Sequence, residues 1–289
     1  MSHPGIQAVP PLGGAAALPV HRIAPSTSWA PLQLGELWAH RDLLYFLVWR
    51  EVKLRYKQTA LGVAWAVIQP VFTMVVFSIF FGRFGKMPSD GLPYPIFAYA
   101  ALLPWQLFAF ALAESSNSVV ANQRLITKVY FPRLIMPLAT VGVGLVDFSV
   151  ACGVLAGMMA YYGIAPGIAV WTLPLWALMA MLTALGAGLW LSALNVRYRD
   201  VRYTVTFLTQ IWLFATPVAY STAIIPPAWR TAYALNPMVG VVEGFRWALL
   251  GTTDPPGRMM LVSVVTVAAL VTSGLFYFRR VERTFADIV

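Results

Sequence analysis

Asn122-Gln-Arg-Leu-Ile-Thr-Lys-Val-Tyr-Phe-Pro-Arg133 is a short basic stretch between two long apolar blocks. It carries Arg124, Lys128 and Arg133 and no acid. Leu125, Ile126, Val129 and Tyr130 fall at helical spacing, and Pro132 ends the pattern. A short basic amphipathic helix in this position is suited to touching something at a membrane face, so the blocks around it decide the fold.

Those blocks are long. Of the 289 residues, 59% are hydrophobic and 11% charged. A soluble domain carries roughly 25% charged residues, so this is the composition of an integral membrane protein. A helix needs about 20 apolar residues to cross a bilayer. Residues 58–82, 91–113, 203–229 and 259–278 are free of charge, and residues 134–196 hold Asp147 alone. Gly163, Pro166 and Gly167 divide that last run in two. The expectation is an all-α protein with six spans, near 60–82, 95–114, 134–162, 168–194, 203–220 and 259–278.

Basic residues set the sidedness, because cytoplasmic loops concentrate Lys and Arg. With six spans, fifteen of the 20 Lys and Arg residues fall on one face, including Arg197, Arg199 and Arg202 of a second short loop. Both termini are therefore expected in the cytoplasm. The net charge of +9 is read as this bias and not as a nucleic-acid patch.

Residues 1–35, rich in Pro, Ala and Gly, are expected to form a flexible cytoplasmic tail ahead of one membrane domain over 36–289. They lack the basic start and apolar core of a signal peptide. Residues 38–57 read as an amphipathic helix lying in the interface plane. Residues 224–250 are apolar but broken by Pro226, Pro227, Asn236 and Pro237, which suggests re-entrant helices between the last two spans.

Several chemistries are excluded. No Gly-x-x-x-x-Gly-Lys-Ser/Thr stretch occurs, so ATP phosphates are not cradled by that loop. His-Glu-x-x-His, Gly-x-Ser-x-Gly and Asp-x-Asp are also missing. Cys152 is the single cysteine, and His3, His21 and His40 all precede the first span. Neither a catalytic residue nor a metal site is expected, and this argues against an integral-membrane glycosyl- or phosphotransferase. A secondary transporter would need more intramembrane ionisable groups.

Asp147 needs a partner or water, since a carboxylate in lipid costs at least about 2.5 kcal/mol. It is either one member of a proton or cation relay or a polar contact between helices, with Ser149 or Thr140 as candidate partners. Glu114 reads as a cap or an interface residue. Trp65, Gln69 and Phe72 share one face of the first span, and Tyr203, Phe207, Gln210 and Phe214 one face of the fifth. Rings and amides together suit a sugar, whose C–H faces stack on aromatics and whose hydroxyls bond amides. Ordinary packing or an interfacial belt explains the same stripes. Gly153 and Gly157 form a small-xxx-small pair that allows close helix approach.

From Trp38 to the C-terminus the chain resembles the permease subunit of a type-2 ABC exporter of the polysaccharide-export family. The resemblance rests on Arg50-Glu51 and Arg55-Tyr56-Lys57, on Leu61-Gly62, Trp65 and Pro70, and on Asn122, Leu125-Ile126 and Lys128 through Arg133. Asn195 through Asp200 and Asn236-Pro237 complete it. The family more often has Asp where Glu51 stands.

The resemblance implies a homodimer with two separate ATP-binding cassette subunits, which would bind the ATP and magnesium. It implies coupling segments at 120–133 and 195–202, with Arg124, Lys128, Tyr130, Arg133, Arg197, Arg199 and Asp200 as contacts. The two aromatic stripes would line the channel, and Phe245, Arg246 and Trp247 would stand at an outer gate. Arg50, Lys53 and Arg55 would attract the phosphate of a lipid-linked glycan or hold membrane lipids. The implied substrate is an O-antigen-like polysaccharide moved across the bacterial inner membrane, with periplasmic export proteins as further partners. Capsular polysaccharide, teichoic acid or a small drug stand as alternatives.

Overall fold

A computed structural model describes residues 34–57, 64–251, 257–282 and 285. Most of the expected tail, the Leu61-Gly62 pair and Arg283 lie outside the described residues. Among the described residues there are helices and no strand. The first is α1 (Leu34–Ala39), which starts inside the segment expected as tail. It is followed by α2 (Arg41–Lys57) and α3 (Ala64–Phe77), which continues as a π-helical stretch, Ser78–Phe84. Next come α4 (Tyr94–Ala121), the single turn α5 (Gln123–Ile126) and α6 (Ile135–Tyr162). A 3-10 turn (Ile168–Thr172) leads into α7 (Leu173–Arg197), then α8 (Val201–Phe214). The chain ends through α9 (Pro227–Tyr233), α10 (Pro237–Leu250) and α11 (Arg258–Val281).

Five helical stretches are long and apolar enough to cross a membrane: Ala64–Phe84, Tyr94–Ala121, Ile135–Tyr162, Ile168–Arg197 and Arg258–Val281. They match five of the six expected spans. The expected fifth span does not form one long helix. α8 has 14 residues, about 21 Å at 1.5 Å per residue, against a hydrocarbon thickness of about 30 Å. It stops before Pro217, which cannot donate to a helical ladder.

α4 is the centre of the bundle. It packs against α3, α6, α7, α8 and α10, and its hydropathic window is 78% buried, against 17% in α11. Its sequence permits this. Ala98, Ala100, Ala101, Ala111, Ser115 and Ser118 are all buried, and small side chains let neighbouring backbones come close. Ser115 sits so tightly on α7 that a Cβ on Gly188 would collide with its Oγ. Among the described residues the buried Ser115 Oγ makes no hydrogen bond, but other hydroxyls on α4 are paired. Ser118 Oγ donates to the Ser115 carbonyl at 2.7 Å, and the Tyr99 hydroxyl reaches the Ala151 carbonyl of α6 at 3.3 Å.

The close helix approach foreseen at Gly153 and Gly157 does not occur within the chain, because a Cβ at either position would meet open space. It occurs instead between α7 and α11, where a Cβ on Gly274 would lie 2.4 Å from the Gly186 carbonyl oxygen. Gly274→Leu must therefore push these helices apart. We expect a loss of about 1–3 kcal/mol, read as a lower melting temperature of the solubilised protein. Gly157→Ala should move stability by no more than about 0.5 kcal/mol.

Candidate functional site

The two short basic loops, after α4 and after α7, lie with part of α2 at one end of the bundle. Asn195, at the end of α7, donates from Nδ2 to the Ser116 carbonyl of α4 at 3.1 Å. Arg50 Nη2 of α2 donates to Asn122 Oδ1 at 3.1 Å and pairs with Glu51 at 2.5 Å. The Asn122 amide in turn donates to the Ser118 carbonyl at 2.9 Å, so α2 is fastened where α4 hands over to α5.

On this end the loop residues divide. Arg124, Lys128, Val129 and Tyr130 are exposed, as are Arg197, Tyr198, Arg199 and Asp200. Tyr130 is 76% exposed, which leaves its ring free for a partner. Arg133 faces elsewhere. Its Nη1 donates to the Glu282 carbonyl beyond α11, and its guanidinium lies 5.8 Å from the Phe285 ring. Phe285 is fully buried against Phe278, ring centroids 5.4 Å apart. Burial raises the Glu282 carboxyl above the usual carboxylate range, with Arg279 at 3.0 Å opposing that shift.

The three α2 residues expected to meet an anionic head, Arg50, Lys53 and Arg55, also separate. Arg55 pairs with Asp147 Oδ2 of α6 at 2.6 Å and stacks over Phe110 at 4.4 Å. The Tyr56 hydroxyl donates to the other oxygen of the same carboxylate, and burial with that bond pushes the phenol up to about 12. Asp147 thus has its partners on α2. Ser149 and Thr140 bond the Leu145 and Pro137 carbonyls instead. Asp147 lies about 18 Å along α6 from Ile135, so α2 reaches well up the span instead of staying beside its start. Lys53 alone of the three points outward, its Nζ 5.2 Å from the exposed Trp49 ring.

Helices α3 and α8 turn an unusual face outward. Trp65, Phe72, Tyr203, Phe207 and Phe214 are each more than half exposed, and Gln69 and Gln210 are exposed beside them. Along 202–211 the exposed residues of α8 are Arg202, Tyr203, Thr204, Thr206, Phe207, Leu208, Gln210 and Ile211. Along 261–269 those of α11 are Leu261, Val264, Val265, Ala268 and Ala269. The second set suits hydrocarbon. The first, with amide, hydroxyl and guanidinium groups, does not.

At the far end, Phe245 and Arg246 are buried, not displayed. Phe245 is 0% exposed and meets Phe148 edge to face, centroids 5.8 Å apart. Arg246, 1% exposed, lies 3.6 Å from the Phe97 ring centroid. It donates to the Pro217 carbonyl at 2.7 Å and the Val218 carbonyl at 2.9 Å, with Glu243 at 3.5 Å. These carbonyls belong to the broken stretch after α8, so Arg246 satisfies backbone that no helix satisfies. Trp247 is half-buried. Asn236 is the second brace. Its Oδ1 caps α10 at Met238 N and accepts from Trp212 Nε1 at 2.8 Å, while Nδ2 donates to the Ala215 carbonyl at 3.0 Å. An Asn-Pro pair after an apolar run signals a helix cap, but not these long-range bonds.

These features define a multi-pass α-helical membrane protein with one exposed basic end and two polar–aromatic helix faces. The chain belongs to the ABC-2 type transporter family, whose model matches residues 42–250. It is 31% identical to the O-antigen export system permease protein RfbA of Myxococcus xanthus, over 88% of this chain and 98% of that protein. The protein of the same name from Klebsiella pneumoniae is 27% identical over 86% of this chain and 95% of its own length. The polysialic acid transport protein KpsM of Escherichia coli is 23% identical, over 70% and 78%.

Arg246→Met removes the charge that Glu243 and two carbonyls depend on. We expect it to cost about 3 kcal/mol or more, seen as a clearly lower melting temperature. Lys53→Gln, on an outward side chain, should leave that temperature unchanged within about 0.5 kcal/mol.

Proposed function

We propose that this chain is the membrane permease of an ATP-driven exporter that moves a lipid-linked, O-antigen-like polysaccharide across the bacterial inner membrane. The observation that carries the proposal is the pair of exposed polar–aromatic faces on α3 and α8. Amides and hydroxyls facing lipid are costly, so these faces belong against water or a second copy of the chain. Two copies packed through α3 and α8 enclose a channel lined by Trp65, Gln69, Phe72, Tyr203, Phe207, Gln210 and Phe214. Rings of this kind hold sugar faces, amides hold hydroxyls, and the lining has no deep charged pocket to trap a moving polymer. The names of the relatives support a polysaccharide cargo, O-antigen ahead of polysialic acid.

In this scheme α8 crosses together with residues 215–220, whose carbonyls are bonded by Arg246, Asn236 and Tyr94 among others, and α9 and α10 remain at the outer leaflet. Phe245 and Arg246 then hold the outer gate's frame, while Trp247 stands nearer its surface. Six crossings put both termini in the cytoplasm. Work is supplied by two separate ATPase subunits that bind ATP and magnesium. They press on α5 and the loop to Tyr130, through Arg124 and Lys128, and on Arg197, Arg199 and Asp200. Pressure on α5 passes to α4 through Asn122 and to α2 through Arg50. Arg133 ties the same loop to the end of α11. Lys53, with Trp49, is the α2 residue placed to meet an anionic lipid head; Arg50 and Arg55 are held by protein partners.

Two measurements on the complex in proteoliposomes check this. Lys128→Glu with Tyr130→Ala should lower polymer-stimulated ATP hydrolysis and export by about tenfold or more, as expected for removal of central docking contacts. Phe72→Ala with Phe207→Ala should cut export while leaving the ATPase subunits bound. Unchanged export in the second variant would remove the channel-lining role.

A further inference from the structure

A cavity of about 350 Å³ lies within the single chain, between α2, α3, α4 and α6. Trp65, Gln69 and Thr73 form one wall and Gln106 and Phe110 another, with Asp147 and Arg55 closing one end. The volume falls in the range of small-molecule sites. The amide side chains of Gln69 and Gln106 make no hydrogen bond within the described residues. Gln69 is exposed and Gln106 half-buried, so both amides are open to hydrogen bonds from whatever enters the cavity.

The charges in the cavity select the kind of ligand. Arg55 is matched by Asp147 at 2.6 Å, and the Tyr56 hydroxyl occupies the other carboxylate oxygen, so the end wall is close to neutral. An anion would have to displace Asp147 from Arg55. A cation would have to displace Arg55 and Tyr56 together. An acyl or prenyl chain would leave both amides facing hydrocarbon; the Thr73 hydroxyl, which donates to the Gln69 carbonyl at 2.9 Å, keeps only its lone pairs for a ligand. Beyond Arg55 and Phe110 lies a second cavity of about 290 Å³, lined by Glu51 and Glu114, which further disfavours a phosphate. What remains is a neutral group rich in hydroxyls and bearing an apolar face.

We infer that this cavity is a side pocket for one uncharged pyranose unit. The sugar stacks on the Trp65 indole, and its hydroxyls exchange hydrogen bonds with Gln69, Thr73 and Gln106. Trp65 and Gln69 also belong to the exposed face of α3, so the pocket opens beside the channel, and the inference rests on that channel reading for its natural ligand: a branch or terminal sugar of the cargo. The Arg55–Asp147 pair acts here as a neutral, hydrogen-bonding end wall.

Saturation-transfer NMR on the full chain in lipid nanodiscs tests this, with the methyl pyranosides of glucose, galactose, mannose and rhamnose as probes. Inorganic pyrophosphate, followed by phosphorus line width, serves as the anionic comparison. At least one glycoside should show saturable transfer, weakened about fivefold in Gln106→Leu and in Thr73→Val, the loss of roughly one hydrogen bond. Both variants should keep the parent melting temperature. Pyrophosphate should show no broadening that depends on Gln106. The inference is overturned if no glycoside binds, if binding survives both variants in folded protein, or if pyrophosphate binds and the glycosides do not. Failure here is separable from failure of the channel reading. Export lost in Phe72→Ala with Phe207→Ala, without Gln106-dependent glycoside binding, rejects the pocket and keeps the channel. The reverse pattern keeps the pocket and rejects the channel.

Discussion

In hydrocarbon a backbone polar group must be paired inside the protein, and helices associate through close packing and not through expulsion of water. α4 is where this chain meets that constraint. Its alanine and serine rows let α6, α7 and α10 approach closely, and Gly188 gives way to Ser115. The other helices are placed by how they touch α4. α3 and α8 touch it along one narrow side each and so keep a broad face outward, which is the face the proposed transport depends on.

Polar pins then fix what packing alone leaves loose. Asn195 joins α7 to α4, Arg50 joins α2 to Asn122, and Arg133 joins the loop after α5 to the end of α11. Arg246 and Asn236 hold the broken backbone beyond α8. Apart from Asn195, whose partner Ser116 lies inside α4, each pin bonds a backbone carbonyl or a cap at or just beyond a helix end, where unsatisfied groups concentrate. The exposed loop residues are therefore carried on a braced frame. α5 and the loop after it are thus joined to α4, α2 and α11 within a few bonds.

The long helices were readable because their signal is local. The spans expected at 134–162 and 168–194 are found at Ile135–Tyr162 and, with the leading 3-10 turn, Ile168–Arg197. The expected fifth span is found as a helix shorter than hydropathy suggests, because hydropathy counts apolar residues and does not see that Pro217 and the carbonyls after Phe214 break the helix. The partner of Asp147 was also out of reach. Arg55 lies 92 positions earlier in a different helix, and no periodicity links them. Arg246 and Arg133 are expected at an outer gate and as a coupling contact, and neither reading reveals their intramolecular partners: one is buried on Phe97 and the other lies over Phe285. The exposed aromatic stripes were legible as faces; which way each face turns follows from packing on α4.

The central claim is that α3 and α8 of two copies face each other. Cysteine cross-linking in native membranes tests it most directly, in a chain whose Cys152 is replaced by alanine. Phe207→Cys with a short bis-maleimide should yield a covalent dimer, and Val265→Cys, on the aliphatic face of α11, should remain a monomer. A dimer through Val265→Cys and none through Phe207→Cys would contradict the account.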